Sequence, residues 1–165
     1  MIPCKLCQAA DCSTLVPRGP RTFHLCPHCG LVFVPEDQWL SLDDERARYQ
    51  HHDNTSDNHG YVCFLNEVVT QVGQLRLGGQ PILDFGSGER AVLTDLLNAC
   101  GQTCTAYDPL YGRTQLAGPY GLIIVCEVIE HLRDLRGELA RLRDLLTADG
   151  KLLVRTQPYP TVEHI

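Results

Sequence analysis

A chain of 165 residues has room for one domain and a small satellite module, but not for a second full-size domain. Its 44% hydrophobic and 21% charged residues are those of a soluble globular protein, and no apolar run reaches the roughly 18 residues of a membrane span. A formal net charge of -6 supplies no broad phosphate-binding surface, which weighs against nucleic acid as a partner. The N-terminal MIPCKLCQAADC lacks a basic start followed by an apolar stretch, so it does not read as a secretory signal and a cytoplasmic location is expected. In that reducing compartment the nine cysteines read as metal ligands or core residues rather than disulfides.

Residues 1–35 form the first unit, a loop-rich module with five of the nine cysteines and two short β-like runs, RTFHLC and LVFV. Within it, Cys4-x2-Cys7 and Cys26-x2-Cys29 are two knuckles 18 residues apart, the spacing of a Cys4 zinc ribbon. Four thiolates leave Zn2+ no open coordination position, so the ion would supply folding energy and no catalysis. Cys12 is out of register, and His24 and His28 are weaker substitutes. Lys5, Arg18 and Arg21 against Asp11 give the module a net +2, thin for phosphate binding.

Residues 36–60 are an acidic connector: seven acids face Arg46 and Arg48, with His51, His52 and His59 among them. A partial helix is expected near Trp39 to Tyr49. Residues 61–165 then alternate helix and strand. YVCFLNEVVTQVGQL has helical spacing, PILDF is a strand, AVLTDLLNAC a helix, TCTAY a strand, and LIIVC a strand buried on both faces. Leu132, Leu135, Leu139, Leu142 and Leu146 make one helix stripe, and TADG turns the chain into a last strand, KLLVR. Cys63, Cys100, Cys104 and Cys126 sit in apolar contexts and are expected in the core. This alternation predicts an α/β fold, a Rossmann-like, mostly parallel sheet with flanking helices, appended to the Cys4 module.

The turn after PILDF carries the chemistry. Gly86, Gly88 and Ala91 satisfy the dinucleotide pattern G-x-G-x-x-G/A, with Asp108 twenty residues beyond Gly88, so NAD fits the spacing. Asp84 discriminates: a carboxylate at that strand end is poorly placed beside a pyrophosphate and well placed beside the ammonium and sulfonium of S-adenosylmethionine. Arg90 is expected on the first turn of the helix, tolerable there though not ideal near the positive end of the helix dipole.

ILDFGSGE, YDP, LIIVCEVIEHL and LLTADGKLLVRTQP, in that order over residues 60–158, resemble the class I S-adenosylmethionine-dependent methyltransferases. The resemblance implies that Asp84, Phe85, Gly86, Ser87 and Gly88 floor the methionine part of the cofactor. It implies that Asp108 grips the ribose hydroxyls and that Cys126 and Glu127 border the reactive methyl. A zinc ribbon, acidic connector and methyltransferase core together resemble a bacterial group linked to sugars, glycans or small natural products, which implies a small-molecule or glycan acceptor.

EVIEHL admits two roles. Glu127, Glu130 and His131 have the chemistry to hold Mg2+, as this element does in the ubiquinone-pathway and small-RNA O-methyltransferases it resembles. Alternatively Glu127 or His131 takes the acceptor's proton, or one of His51, His52 and His59 does. Only 13 residues separate Asp108 from Leu122, so the third strand usual in this family is expected to be shortened or lost. The chain ends at Ile165 soon after KLLVR, and the expectation is a truncated core whose last strand edge is covered by further chain, a protein partner or a second copy. The readings that remain beside the enzyme are a noncatalytic methyltransferase-like scaffold, an RNA methyltransferase and an NAD-dependent oxidoreductase.

Overall fold

A computed structural model describes residues 2–15, 21–41, 43, 44, 47 and 54–159. Most of the connector, including His51 and His52, lies outside the described residues, as does the expected helix there beyond its few described positions. The N-terminal sheet has three two-residue strands in antiparallel order, β1 (Ser13–Thr14), β2 (His24–Leu25) and β3 (Val32–Phe33). Strands this short bury almost nothing; among the described residues of this unit, Cys4, His24, Cys26, Phe33 and Pro35 are buried.

The larger unit opens with α1 (His59–Gln74), started by Asn58, whose side chain accepts from the Tyr61 N–H. β4 (Ile82–Phe85), α2 (Val92–Ala99), β5 (Cys104–Tyr107), β6 (Tyr120–Cys126), α3 (Leu135–Leu145) and β7 (Leu146–Arg155) follow. The strands form one parallel sheet in the order β5-β4-β6-β7. Alternation along the strands splits the core into two layers. Ile82, Leu122 and Ile124 pack with Leu65, Val68 and Val72 of α1 and Leu93 and Leu97 of α2, whereas Leu83, Ile123 and Val125 pack with Leu142 of α3. Residues buried on both faces explain why β6 reads as an unbroken apolar run.

The third strand, expected to be shortened or lost, is lost: residues 109–119 hold a 3-10 turn (Pro109–Tyr111), and a single bridge joins Asp108 and Arg113. Other expectations are corrected. Arg90 is not on the first turn of α2, because Ala91 takes a left-handed conformation (φ 50°) and the helix starts only at Val92. Leu132 precedes α3, and Leu146 belongs to β7. TADG is a bulge within β7: Leu146 pairs with Tyr120, and pairing resumes at Lys151 with Leu122. Cys63 and Cys100 are exposed, since Cys63 lies off the Leu65, Val68, Val72 stripe and Cys100 caps α2; Cys104 is buried and Cys126 half-buried.

Candidate functional site

A parallel sheet with α1 and α2 on one face and α3 on the other leaves a crevice where the chain reverses direction across the sheet, between the carboxyl ends of β4 and β6. A cleft of about 990 Å³ opens there, and Asp84, Phe85, Gly86, Ser87, Gly88, Asp108, Cys126, Glu127 and His131 all line it.

Asp84 is 2% exposed and accepts from the Thr94 hydroxyl of α2 at 2.8 Å. Burial pushes its carboxyl up to about 6; the Thr94 hydroxyl and backbone N–H pull against this, Asp108 adds to it and Arg113 opposes it. A buried acid held at the first turn of a helix, in the wall of a cleft, is a receptor for positive charge. Two neighbours are held neutral beside it: the Tyr61 hydroxyl and the Cys126 thiol are both raised to about 12, chiefly by burial and then by Asp84.

The glycine turn requires glycine for two reasons. Gly86 and Gly88 have φ of 82° and 70°, and a Cβ on Gly86 would clash with a Val128 methyl group. The turn is tied to the end of β5. Gly86 and Ser87 donate to the Tyr107 carbonyl at 2.8 and 3.2 Å, and Gly88 donates to Asp108 Oδ2 at 2.9 Å. Asp108 Oδ1 accepts from the Leu110 N–H at 3.0 Å. Each carboxylate oxygen thus keeps a lone pair for a further donor.

Sequence reading missed Arg113. Its guanidinium reaches back 25 residues, donating to the Gly88 carbonyl at 3.0 Å and the Glu89 carbonyl at 2.8 Å. Its own backbone N–H and carbonyl pair with Asp108 at 2.9 Å each. The short 108–113 loop therefore grips both the N–H and the carbonyl of Gly88, where a longer segment with a third strand was absent. Its signal in sequence is no more than an arginine after a glycine.

Glu127 follows β6 with a left-handed backbone (φ 53°) and donates its N–H to the Arg155 carbonyl at 2.7 Å. Its carboxyl is raised, first by burial and then by Glu130, with Arg155 opposing. His131 closes the 3-10 turn Ile129–His131. The Mg2+ reading is not supported. Glu130 is absent from the cleft wall, and among the described residues the cluster of three or more metal-capable side chains that comes together is another one. Glu130 Oε1 and His131 Nε2 lie 4.0 Å apart, but Glu127 does not join them in a three-ligand cluster.

That cluster is Cys4, Cys7, Cys26 and Cys29, whose sulfurs all lie within 4.8 Å of one another. Cys4 and Cys29 are 3.6 Å apart and Cys7 and Cys26 3.5 Å. Sulfurs at about 2.3 Å from a tetrahedral zinc would be about 3.8 Å apart, so the donor set fits Zn2+. Burial pushes the Cys26 thiol up, but the N–H groups of Cys29 and His28 and the thiols of Cys7 and Cys29 outweigh it, bringing it down to about 6. Neither histidine joins the cluster: His28 pairs with Asp11 at 3.0 Å and His24 packs against Phe33. The Cys12 thiol faces the Ala9 carbonyl at 3.7 Å.

A parallel sheet with a glycine turn and two strand-end acids at its reversal point defines a Rossmann-like nucleotide-cofactor fold. The chain matches the family described as Methyltransferase domain over residues 49–163, and it belongs to that family. No curated protein matches it. The solved structure of coclaurine N-methyltransferase, bound to N-methylheliamine and SAH, is similar with a TM-score of 0.44 and 20% identity. That similarity covers 64% of this chain, which spans 39% of the length of that enzyme.

Proposed function

We propose that the protein transfers a methyl group from S-adenosylmethionine to a hydroxyl or other nucleophile of a small molecule or glycan. The observation that carries this reading is the buried Asp84 carboxylate in the wall of the cleft, one strand away from Asp108. When bound, S-adenosylmethionine supplies a methyl on a positively charged sulfur, open to in-line displacement. Asp84 favours the cofactor's positive charge, Asp108 accepts from its ribose hydroxyls, and Gly86 and Gly88 admit it closely. Phe85, Ser87 and Cys126 complete the wall around it, with the Cys126 thiol neutral. Glu127 or His131 removes the proton of the acceptor; the raised carboxyl of Glu127 suits it to that task. The other requirements are alignment and exclusion of water. NAD is disfavoured because Asp84 would face its pyrophosphate.

Incubating the protein with methyl-labelled cofactor and a panel of hydroxyl, amine and thiol acceptors tests the reading. Labelled product from wild type, reduced about 100-fold in Asp108→Ala, supports transfer with Asp108 holding the cofactor. Cofactor binding without product from any acceptor class would favour the second reading, a noncatalytic binding module, which the short 109–119 segment supports. Arg113→Ala should weaken S-adenosylhomocysteine binding about tenfold by calorimetry, the loss of roughly one charge-assisted hydrogen bond. Arg113→Lys should rescue little, because a single ammonium does not fork onto two carbonyls.

The four cysteines hold Zn2+ as a closed structural site in this reading, with residues 1–35, 36–60 and 61–165 as ribbon, connector and methyltransferase core. About one equivalent of zinc per chain is expected by elemental analysis.

A further inference from the structure

The cysteine module touches the cleft through one lysine. Lys5, adjacent to Cys4, is half-buried and donates its ammonium to the Leu132 carbonyl at 2.9 Å, across 127 positions of sequence. Leu132 caps the turn that carries His131, and both residues line the cleft. Within that turn His131 donates its N–H to the Val128 carbonyl at 2.9 Å, and Leu132 donates to Ile129 at 3.3 Å. Such a turn has few backbone bonds of its own and depends on outside contacts for its order.

Trp39 strengthens the tie. The Lys5 ammonium lies 5.4 Å from the centre of its ring and the Arg133 guanidinium 5.7 Å from the same ring. Two cations on one indole form a bridge between the cysteine module and the residue after Leu132. Arg133 also donates to the Leu40 carbonyl at 2.8 Å, and the indole N–H of Trp39 donates to the Val34 carbonyl at 3.1 Å. On the other side, the Thr22 N–H donates to the Gln38 side chain at 2.8 Å. The path from Cys4 to His131 is thus a chain of direct contacts: Cys4 to Lys5 by a peptide bond, Lys5 to Leu132 by a hydrogen bond, and Leu132 to His131 by a peptide bond.

We propose that Lys5 is a positioning residue that fixes the His131 turn from the cysteine module, so that metal loading at Cys4, Cys7, Cys26 and Cys29 orders the acceptor side of the cleft. It rests on the reading of those cysteines as a metal site and of His131 as a cleft base. A metal that never meets substrate would then still govern catalysis, through a backbone carbonyl.

The test compares wild type, Lys5→Met and Lys5→Arg, each loaded with Co2+ as a visible probe of the thiolate site, and wild type stripped by a chelator. Amide hydrogen exchange at His131 and Leu132 and the His131 ring-proton chemical shift are the readouts. Lys5→Met should bind Co2+ normally and exchange those two amides about tenfold faster, with a displaced His131 signal and unchanged exchange in β4. Lys5→Arg, which still donates and still stacks on Trp39, should restore both readouts, and stripping should reproduce the Lys5→Met pattern. Normal Co2+ binding by Lys5→Met with unchanged exchange and an unmoved His131 signal would overturn the proposal while leaving the metal reading intact. Failure of wild type to bind Co2+ would overturn the metal reading and the coupling together.

Discussion

Asp84→Asn is expected to stabilise the ligand-free protein at pH 7.5 and to weaken its affinity for S-adenosylhomocysteine. The carboxyl is raised to about 6 in the folded chain, from an ordinary 3.8, by burial above all. Because the folded state holds this proton more tightly than the unfolded chain does, the stabilisation is complete below about pH 4 and is lost as pH rises to about 6. Above that pH the ionised group costs about 3 kcal/mol, at about 1.4 kcal/mol per pH unit. The amide is isosteric, can still accept from Thr94 and carries no charge. The melting temperature at pH 7.5 should therefore rise by about 5 °C or more, and the gain should vanish below about pH 4. Binding should weaken about 100-fold at the same pH, since the charge opposite the cofactor's cation is gone. In wild type, affinity should increase as pH passes upward through about 6. A destabilised variant that binds normally would make Asp84 a structural residue with no part in the site.

Stripping the metal, or replacing Cys26 by serine, should unfold the N-terminal module while the four-stranded sheet persists. Three strands of two residues each and a handful of buried side chains cannot offset the chain entropy of some 30 residues at about 1.5 kcal/mol each. Structural zinc contributes about 10–16 kcal/mol in comparable small modules, enough to decide whether such a unit folds. Amide spectra should show collapse of the dispersed signals of residues 2–15 and 21–34, with those of β4 to β7 retained, and zinc should restore them. Unchanged spectra after complete removal of metal would mean that the cysteines pack as thiols.

The core elements were legible because each announces itself locally. LIIVC has no polar residue because β6 lies between β4 and β7 and is covered on both faces. Gly86 stands where the backbone must take a positive φ against Val128, and Asp84 and Asp108 stand at the ends of neighbouring parallel strands. The cysteine spacing was legible for the same reason: each knuckle is a local turn, and the two come within 3.6 Å in pairs. What could not be read depends on distance along the chain or on backbone acceptors, which every residue offers alike. Arg113 binds carbonyls of Gly88 and Glu89, and Lys5 binds the carbonyl of Leu132, so no residue type marks the partner. Glu127, Glu130 and His131 show the converse. Their letters match a metal motif, yet only Glu130 and His131 approach each other, at 4.0 Å, while Glu127 follows β6 with a left-handed backbone and completes no cluster.

Whether this cleft holds a methyl donor is decided most directly by calorimetric titration of the purified wild-type chain with S-adenosylmethionine and S-adenosylhomocysteine, with NAD in parallel. Saturable one-to-one binding of the first two at micromolar concentration or below, and none of NAD, is the expected result. Binding of NAD alone, or of none of the three, would contradict it.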